Sequence, residues 1–282
     1  MRKFYLHTFD KSITFDLNTE KALAAEPQGL GNGFSTSYKE SNDGNHLTNV
    51  KPSFDPITLK IYFNADGSDG YGNYKSLLTF LSACGKSDFL FEYDDGITDK
   101  FCDVILKSIT KTEISSEGLF CETLTLERQT YWFEIIEDSF IFGKSELDPV
   151  FPMSFPFGFS GALFNSEHKA RNDFFSPAPL NITISGNIFY GLNIYIKSLT
   201  GEIISQIDFQ SEPATGAVVT INATKKKITV TQNGVSTNGY DLTDKTKQSF
   251  LYLPQGEYYI GANISASTTG KIEVSIRRYL YD

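Results

Sequence analysis

Over residues 57–63 apolar and polar side chains alternate, with Ile57, Leu59, Ile61 and Phe63 on one side of an extended chain, the period of a half-buried strand. Over residues 73–84 the period lengthens. Tyr74, Leu77, Leu78 and Leu81 stand at i, i+3, i+4 and i+7 and Gly85 follows, which predicts a short amphipathic helix closed by a glycine cap. Residues 88–93 read as a strand again, so the local order is strand, helix, strand. Turn chemistry at Asp95-Gly96 and Glu117-Gly118 then sets off residues 101–106 and 119–126 as successive antiparallel hairpins.

Both periods fail where Asp148-Pro149, Phe151-Pro152 and Phe155-Pro156-Phe157-Gly158-Phe159 follow closely, because each proline restricts its own φ and its predecessor's backbone. Residues 134–180 therefore read as a connector plus the opening of a second domain. Beyond them, apolar alternation returns at 180–184, 192–196, 218–221, 227–230, 250–253, 258–260 and 271–276, with Asn233-Gly234 and Asn238-Gly239 as turns. Short strands at regular intervals without a helix argue a β-sandwich. The expected fold is mainly β: an N-terminal antiparallel β-domain with one short helix packed on it, residues 1–133, then a connector and C-terminal β-sandwich, residues 134–282. No repeat of twenty to fifty residues and no low-complexity tract is visible.

A length of 282 residues suits two domains better than one, and 24 Phe with 15 Tyr supply ample core material. The net charge of -9 has the wrong sign for gripping phosphate backbones, so direct nucleic-acid binding is not expected. The opening Met1-Arg2-Lys3-Phe4-Tyr5-Leu6-His7 runs into polar Thr8 and Asp10 without the apolar core of a signal peptide. No stretch reaches the roughly eighteen apolar residues of a membrane helix. Synthesis and retention in a cytosol, without membrane insertion, are expected. Cys84, Cys102 and Cys121 are odd in number and lack CxxC spacing, and buried free thiols are the expected state.

Candidate chemistry is sparse. His7, His46 and His168 show no HxH, HxxH or HExxH spacing, so surface or capping roles are expected and no metal site is assigned. Asn64-Ala65-Asp66-Gly67-Ser68-Asp69-Gly70 resembles a calcium loop, but its sixth position is Asp69 and its twelfth Lys75, where glycine and glutamate are required. A polar turn capping the next helix is the stronger reading. Gly85-Lys86-Ser87 lacks the rest of a phosphate-binding loop, and Gly29-Leu30-Gly31-Asn32-Gly33 is too tightly spaced for a dinucleotide fingerprint. Its glycines are expected to permit a bend or a close backbone approach. Glu92, Asp94 and Asp95 offer carboxylates for glycan hydrolysis, which needs two of them across a cleft; at a hairpin turn they are expected to face solvent. No GxSxG occurs. No catalytic, cofactor or metal residues are assigned, and no cofactor is expected. Tyr190, Tyr195, Tyr258, Tyr259 and Trp132 could form a sugar platform, core packing being the plainer account.

The order of features resembles the distal tail protein family of siphophages infecting Gram-positive bacteria. The residues that carry this are Pro27-Gln28-Gly29-Leu30-Gly31, the strand ending Ile61-Tyr62-Phe63, the helix from Tyr71 to Cys84, Phe89-Leu90-Phe91-Glu92-Tyr93, and the closing run Leu124-Thr125-Leu126-Glu127-Arg128-Gln129-Thr130-Tyr131-Trp132. In the second half Pro179-Leu180-Asn181-Ile182-Thr183-Ile184-Ser185-Gly186, Asn238-Gly239-Tyr240-Asp241-Leu242 and Phe250-Leu251-Tyr252-Leu253-Pro254-Gln255-Gly256 are similar to the family's C-terminal domain. Where members often continue from Gly186 into Asn-Pro, this chain has Asn187-Ile188-Phe189-Tyr190, so a different local turn is expected.

The resemblance implies a non-enzymatic virion component at the tail tip or baseplate. Its N-terminal domains would form a hexameric ring joining the tail tube protein on one face to the tail-associated hub protein on the other. A galectin-like C-terminal domain would project outward and anchor a receptor-binding protein, with its last strand able to return to the first domain. The residues of the oligomer interface are not assigned. Two alternatives stay open: a carbohydrate-binding module for host wall polysaccharide, which requires aromatics aligned on one exposed face, and a cell-wall glycan hydrolase, which requires facing carboxylates.

Overall fold

The computed structural model describes residues 2–41, 43–64, 69–85, 88–115, 118–142, 165–264 and 270–280. The chain forms two compact units, Met1–Glu134 with Leu280–Asp282, and Ile135–Tyr279.

In the first unit the strands are β1 (Lys3–His7), β2 (Thr14–Asp16), β3 (Asn18–Thr19), β4 (Ala22–Gln28), β5 (Gly33–Ser41), β6 (Gly44–Ser53) and β7 (Ile57–Tyr62), before helix α1 (Gly70–Cys84). After it come β8 (Phe89–Asp94), β9 (Asp99–Ile109), β10 (Cys121–Arg128) and β11 (Phe133–Phe142), which begins in this unit. The antiparallel order is β2-β1-β8-β9-β10-β7-β4-β3. Strand β9 pairs with β8 through residues 99–104 and with β10 through residues 104–109. Alternation explains the burial: Ile57, Leu59, Ile61 and Phe63 are fully inside while Lys60 is exposed.

The helix starts three residues before its apolar stripe predicts. Asp69 accepts the Gly72 amide at 3.1 Å, and Gly85, at φ 66°, donates its N–H to the carbonyls of Leu81 and Ser82 at the other end. Its buried face is Gly70, Tyr74, Leu77, Phe80 and Leu81. Leu78, expected in the stripe, is 38% exposed, because the 3.6-residue period that joins 77 to 81 and 74 carries position 78 around the helix and brings Phe80 in. The Tyr74 ring stands edge-on to Phe63 at 5.4 Å and its hydroxyl donates to the Thr110 carbonyl at 3.2 Å, fixing the helix on the sheet.

The second unit contains the rest of β11, then β12 (Asn165–Asn172), β13 (Ala178–Gly186), β14 (Asn193–Ser198), β15 (Ile203–Asp208), β16 (Val218–Asn222), β17 (Lys227–Gln232), β18 (Val235–Asn238), β19 (Tyr252–Leu253), β20 (Gly256–Asn263) and β21 (Gly270–Tyr279). One sheet runs β11-β21-β13-β16-β17-β18 and the other β12-β20-β14-β15. Leu180, Ile182, Ile184, Ile272, Val274 and Ile276 from the first belong to one core with Ile194, Ile196, Ile260 and Ala262 from the second, each large side chain contributing about 1.5–3 kcal/mol by burial. The mainly antiparallel β architecture, with one α-helix among the described residues, is as the periodicity predicts. Residues 134–180, read as a connector plus the opening of a second domain, supply β11, β12 and the start of β13; their prolines at 149, 152 and 156 lie outside the described residues. Asn233-Gly234 makes the β17–β18 turn with both φ positive. After Tyr279 the chain passes back, Leu280 donating its N–H to the Trp132 carbonyl at 2.8 Å within the first unit.

Candidate assembly surface

Among the described residues, strands β5 and β6 pair only with each other, a two-stranded sheet apart from the rest of the first unit. In their register Tyr38 faces Leu47, so Phe34, Thr36, Tyr38 and Leu47 share one side of the ribbon, while Ser35, Ser37, Lys39, His46 and Asn49 share the other. The ribbon is amphipathic, yet its apolar side is open: Phe34 is 52%, Tyr38 59% and Leu47 55% exposed. An isolated two-stranded hairpin is at best marginally stable in water, and an uncovered apolar side with free edges is a surface built to be covered. Local bonds shape the ribbon. Thr48, the extra residue of a bulge opposite Ser37, donates its hydroxyl to the Ser37 carbonyl at 2.9 Å, and at the turn His46 Nε2 lies 3.2 Å from Asp43 Oδ1.

The root of the ribbon is held firmly. Gly29 has φ 76°, and a Cβ there would lie 2.1 Å from the Pro56 carbonyl oxygen, so the entering and leaving chains run together only because residue 29 lacks a side chain. Trp132 donates Nε1–H to the Leu30 carbonyl at 2.6 Å. Arg128, buried at the end of β10, donates from Nη2 to the Gly31 carbonyl at 2.9 Å and to Asn32 Oδ1 at 3.1 Å. Its guanidinium carbon lies 4.9 Å from the Phe54 ring and 5.7 Å from the Trp132 ring, and Phe54 meets Tyr131 edge-on at 5.1 Å. The glycine run at 29–33 is thus a close backbone approach at a hairpin root.

The sequence candidates lie elsewhere and are mostly engaged in holding the fold. His7 is buried, contrary to the surface role expected of it: Nδ1 is 2.8 Å from Thr14 Oγ1 and Nε2 is 2.6 Å from Glu92 Oε2, because β1 lies between β2 and β8. His46 is exposed, and His168 pairs through Nδ1 with Asp138 Oδ2 at 2.7 Å. Glu92 is taken by His7, while Asp94 accepts the Gly96 amide and Asp95 those of Ile97 and Thr98. The Thr98 amide, the Lys100 ammonium 3.0 Å away and the Ile97 amide hold the Asp95 carboxyl at a pKa of about 2. These carboxylates stabilise strand pairing and a turn. Of the free cysteines only Cys102 is fully buried; Cys84 and Cys121 are half-buried, at a helix end and a strand start. Burial pushes all three thiols up. Residues 65–68 of the calcium-like loop and Lys86-Ser87 lie outside the described residues, and Asp69 caps the helix.

Of the proposed sugar platform, Trp132 is in the first core and Tyr195 is buried, its hydroxyl donating to Glu167 Oε1 at 2.7 Å. Tyr258 packs on the second core, Tyr259 is half-buried and Tyr190 is 66% exposed. Among the described residues no three His, Cys, Asp or Glu side chains gather as a metal site. The second unit carries a polar groove of about 500 Å³ along β11, β21 and β13, lined by Glu137, Asn181, Thr183, Lys271, Glu273 and Ser275. Its groups suit water and hydroxyl ligands and offer no ring to stack on.

Comparison with known proteins bears on the same elements. Residues 3–129 match the family model described as the distal tail protein, N-terminal domain. Among solved structures, the baseplate of phage P2 in its activated conformation with calcium is similar over 100% of this chain and 99% of that one, at TM-score 0.69 and 17% identity. The strontium form of that baseplate gives TM-score 0.70, 17% identity and the same coverage. The Dit protein of phage SPP1, described as a paradigm of the hub adsorption apparatus in phages infecting Gram-positive bacteria, gives 0.56 and 11% over 98% of each chain. These likenesses show the fold. No curated protein sequence matches the chain.

Proposed function

We propose that this chain, whose residues 3–129 match the model of the distal tail protein N-terminal domain, is a structural baseplate hub subunit of a phage tail. It closes into a six-membered ring through its first unit, with the tail tube protein on one face and the tail-associated hub protein on the other. The second unit, a galectin-like sandwich in this reading, anchors the host-adsorption apparatus. The protein acts by assembly in the virion tail and not by catalysis.

The observation that carries the reading is the β5–β6 ribbon, whose apolar side of Phe34, Tyr38 and Leu47 stays more than half exposed among the described residues of its own subunit. A ring needs one surface per subunit that projects to a neighbour, and a rooted hairpin with one apolar side meets that need. The carbohydrate-binding alternative draws less support, since its candidate aromatics do not share one exposed face. Light scattering across concentration, with negative-stain images of the same sample, tests the proposal. Six-fold rings with a central hole are expected, and a monomer that stays monomeric when mixed with its tail tube protein overturns it.

A further inference from the structure

The root of the assembly hairpin combines a yielding backbone with a rigid clamp. Its entry carries glycine at 29, 31 and 33, and at Gly31 a Cβ would meet nothing within 4 Å, so steric fit does not require glycine there. Such a backbone leaves the direction of a long ribbon weakly determined. At about 3.3 Å per residue β5 is a lever roughly 30 Å long, and a tilt of about 10° at its root displaces the far end by roughly 5 Å. A closed ring does not tolerate that error at every subunit.

Arg128 meets both ends of this root. Its Nη2 bonds the entry at Gly31 and Asn32, and its guanidinium lies over the Phe54 ring at the exit, with Trp132 on the same group. Burying a guanidinium at 3% exposure is costly, and Nε and Nη1 make no hydrogen bond to a described residue. A planar fork that bonds in its plane and stacks on rings is what lets one side chain hold two segments. We infer that Arg128 is a positioning residue: it fixes the direction of the β5–β6 hairpin and so sets where Phe34, Tyr38 and Leu47 meet a second copy of the chain. The inference rests on the reading of that hairpin as the ring interface.

Arg128→Met keeps the length and apolar body of the side chain and removes its charge and donors. The acceptors it releases, on exposed Gly31 and half-exposed Asn32, can be rehydrated, so the melting temperature is expected to move by no more than about 4 °C. The test is the width of the distance distribution between spin labels at Lys39 and Ser76, in a Cys84→Ala, Cys121→Ala background diluted with unlabelled protein. Arg128→Met should broaden it at least twofold and abolish ring formation; Arg128→Lys, which lacks the fork, should broaden it as well. An unchanged width in Arg128→Met, or broadening accompanied by a fall in melting temperature above about 10 °C, overturns the positioning role. A Tyr38→Ser, Leu47→Ser variant tests the interface reading separately. If it forms normal rings, that reading fails; if it forms none while Arg128→Met keeps both width and rings, only the positioning role fails.

Discussion

Replacing Tyr38 and Leu47 together by alanine separates assembly from folding. The two face each other across β5 and β6, with 59% and 55% of their surfaces exposed in the single subunit. A neighbour that covers them removes about 100 Å² of each from water, given the 150–250 Å² of a large side chain. At ~25 cal/mol per Å² that area is worth about 5 kcal/mol, and since the alanine Cβ atoms keep a part of it the double substitution deletes about 4 kcal/mol of each contact, close to a thousandfold in the pairwise dissociation constant. Folding should lose no more than ~1 kcal/mol, the value of an exposed cross-strand pair, because neither side chain packs in the subunit's own core. Sedimentation velocity over a wide concentration range, paired with urea denaturation, reads both quantities. Loss of the ring with an unshifted urea midpoint is expected. Retention of the ring, or a folding loss of several kcal/mol, refutes the argument: the first outcome places the contact elsewhere, and the second shows that the ribbon's apolar side is covered within its own subunit.

Gly29→Ala should destabilise the first unit by about 3 kcal/mol, since it combines a positive φ with a clash against the Pro56 carbonyl; chemical denaturation measures it. Asp69→Ala removes the cap of α1 and should cost about 1 kcal/mol, read as a lower urea midpoint with an unchanged slope. Asp95 titrates at about 2 in the folded protein against 3.8 for an ordinary aspartate. Its folded-state pKa is depressed, so its contribution is present above pH 3.8 and is lost as pH falls through about 2; Asp95→Asn should flatten that part of the acid-denaturation curve. Ile182→Ala, in the centre of the second core, should cost about 3 kcal/mol by calorimetry and leave the ring intact, because the assembly surface belongs to the first unit.

How far each element could be read from the chain follows from how much of its own core it buries. β7, α1, β8, β13 and β21 announce themselves because a subunit core selects their apolar residues at a regular period. The β5–β6 ribbon was missed for the converse reason: its apolar side is not part of either core, so only Phe34, Tyr38 and Leu47 mark it, among serines, threonines and asparagines. The signal that could have found it is weak but present, Phe34 and Tyr38 alternating with polar residues before Asp43-Gly44. Strands β11 and β12 stayed hidden because they flank the proline-rich run that breaks both periods.

Periodicity was sufficient for the mainly β class and for the one α-helix among the described residues, and the order of short motifs along the chain carried the resemblance to a tail component. Each of these depends on local preference or on burial against neighbours within a short reach of sequence. The clamp around Arg128 depends on residues about a hundred positions apart, Leu30, Gly31 and Asn32 against Arg128 and Trp132. No local pattern encodes that meeting, since a buried arginine at the end of a strand reads as any exposed one does. The buried His7–Glu92 pair is of the same kind. Tertiary structure decided both, because strand pairing across distant segments determines which polar groups leave water and which partners they find there.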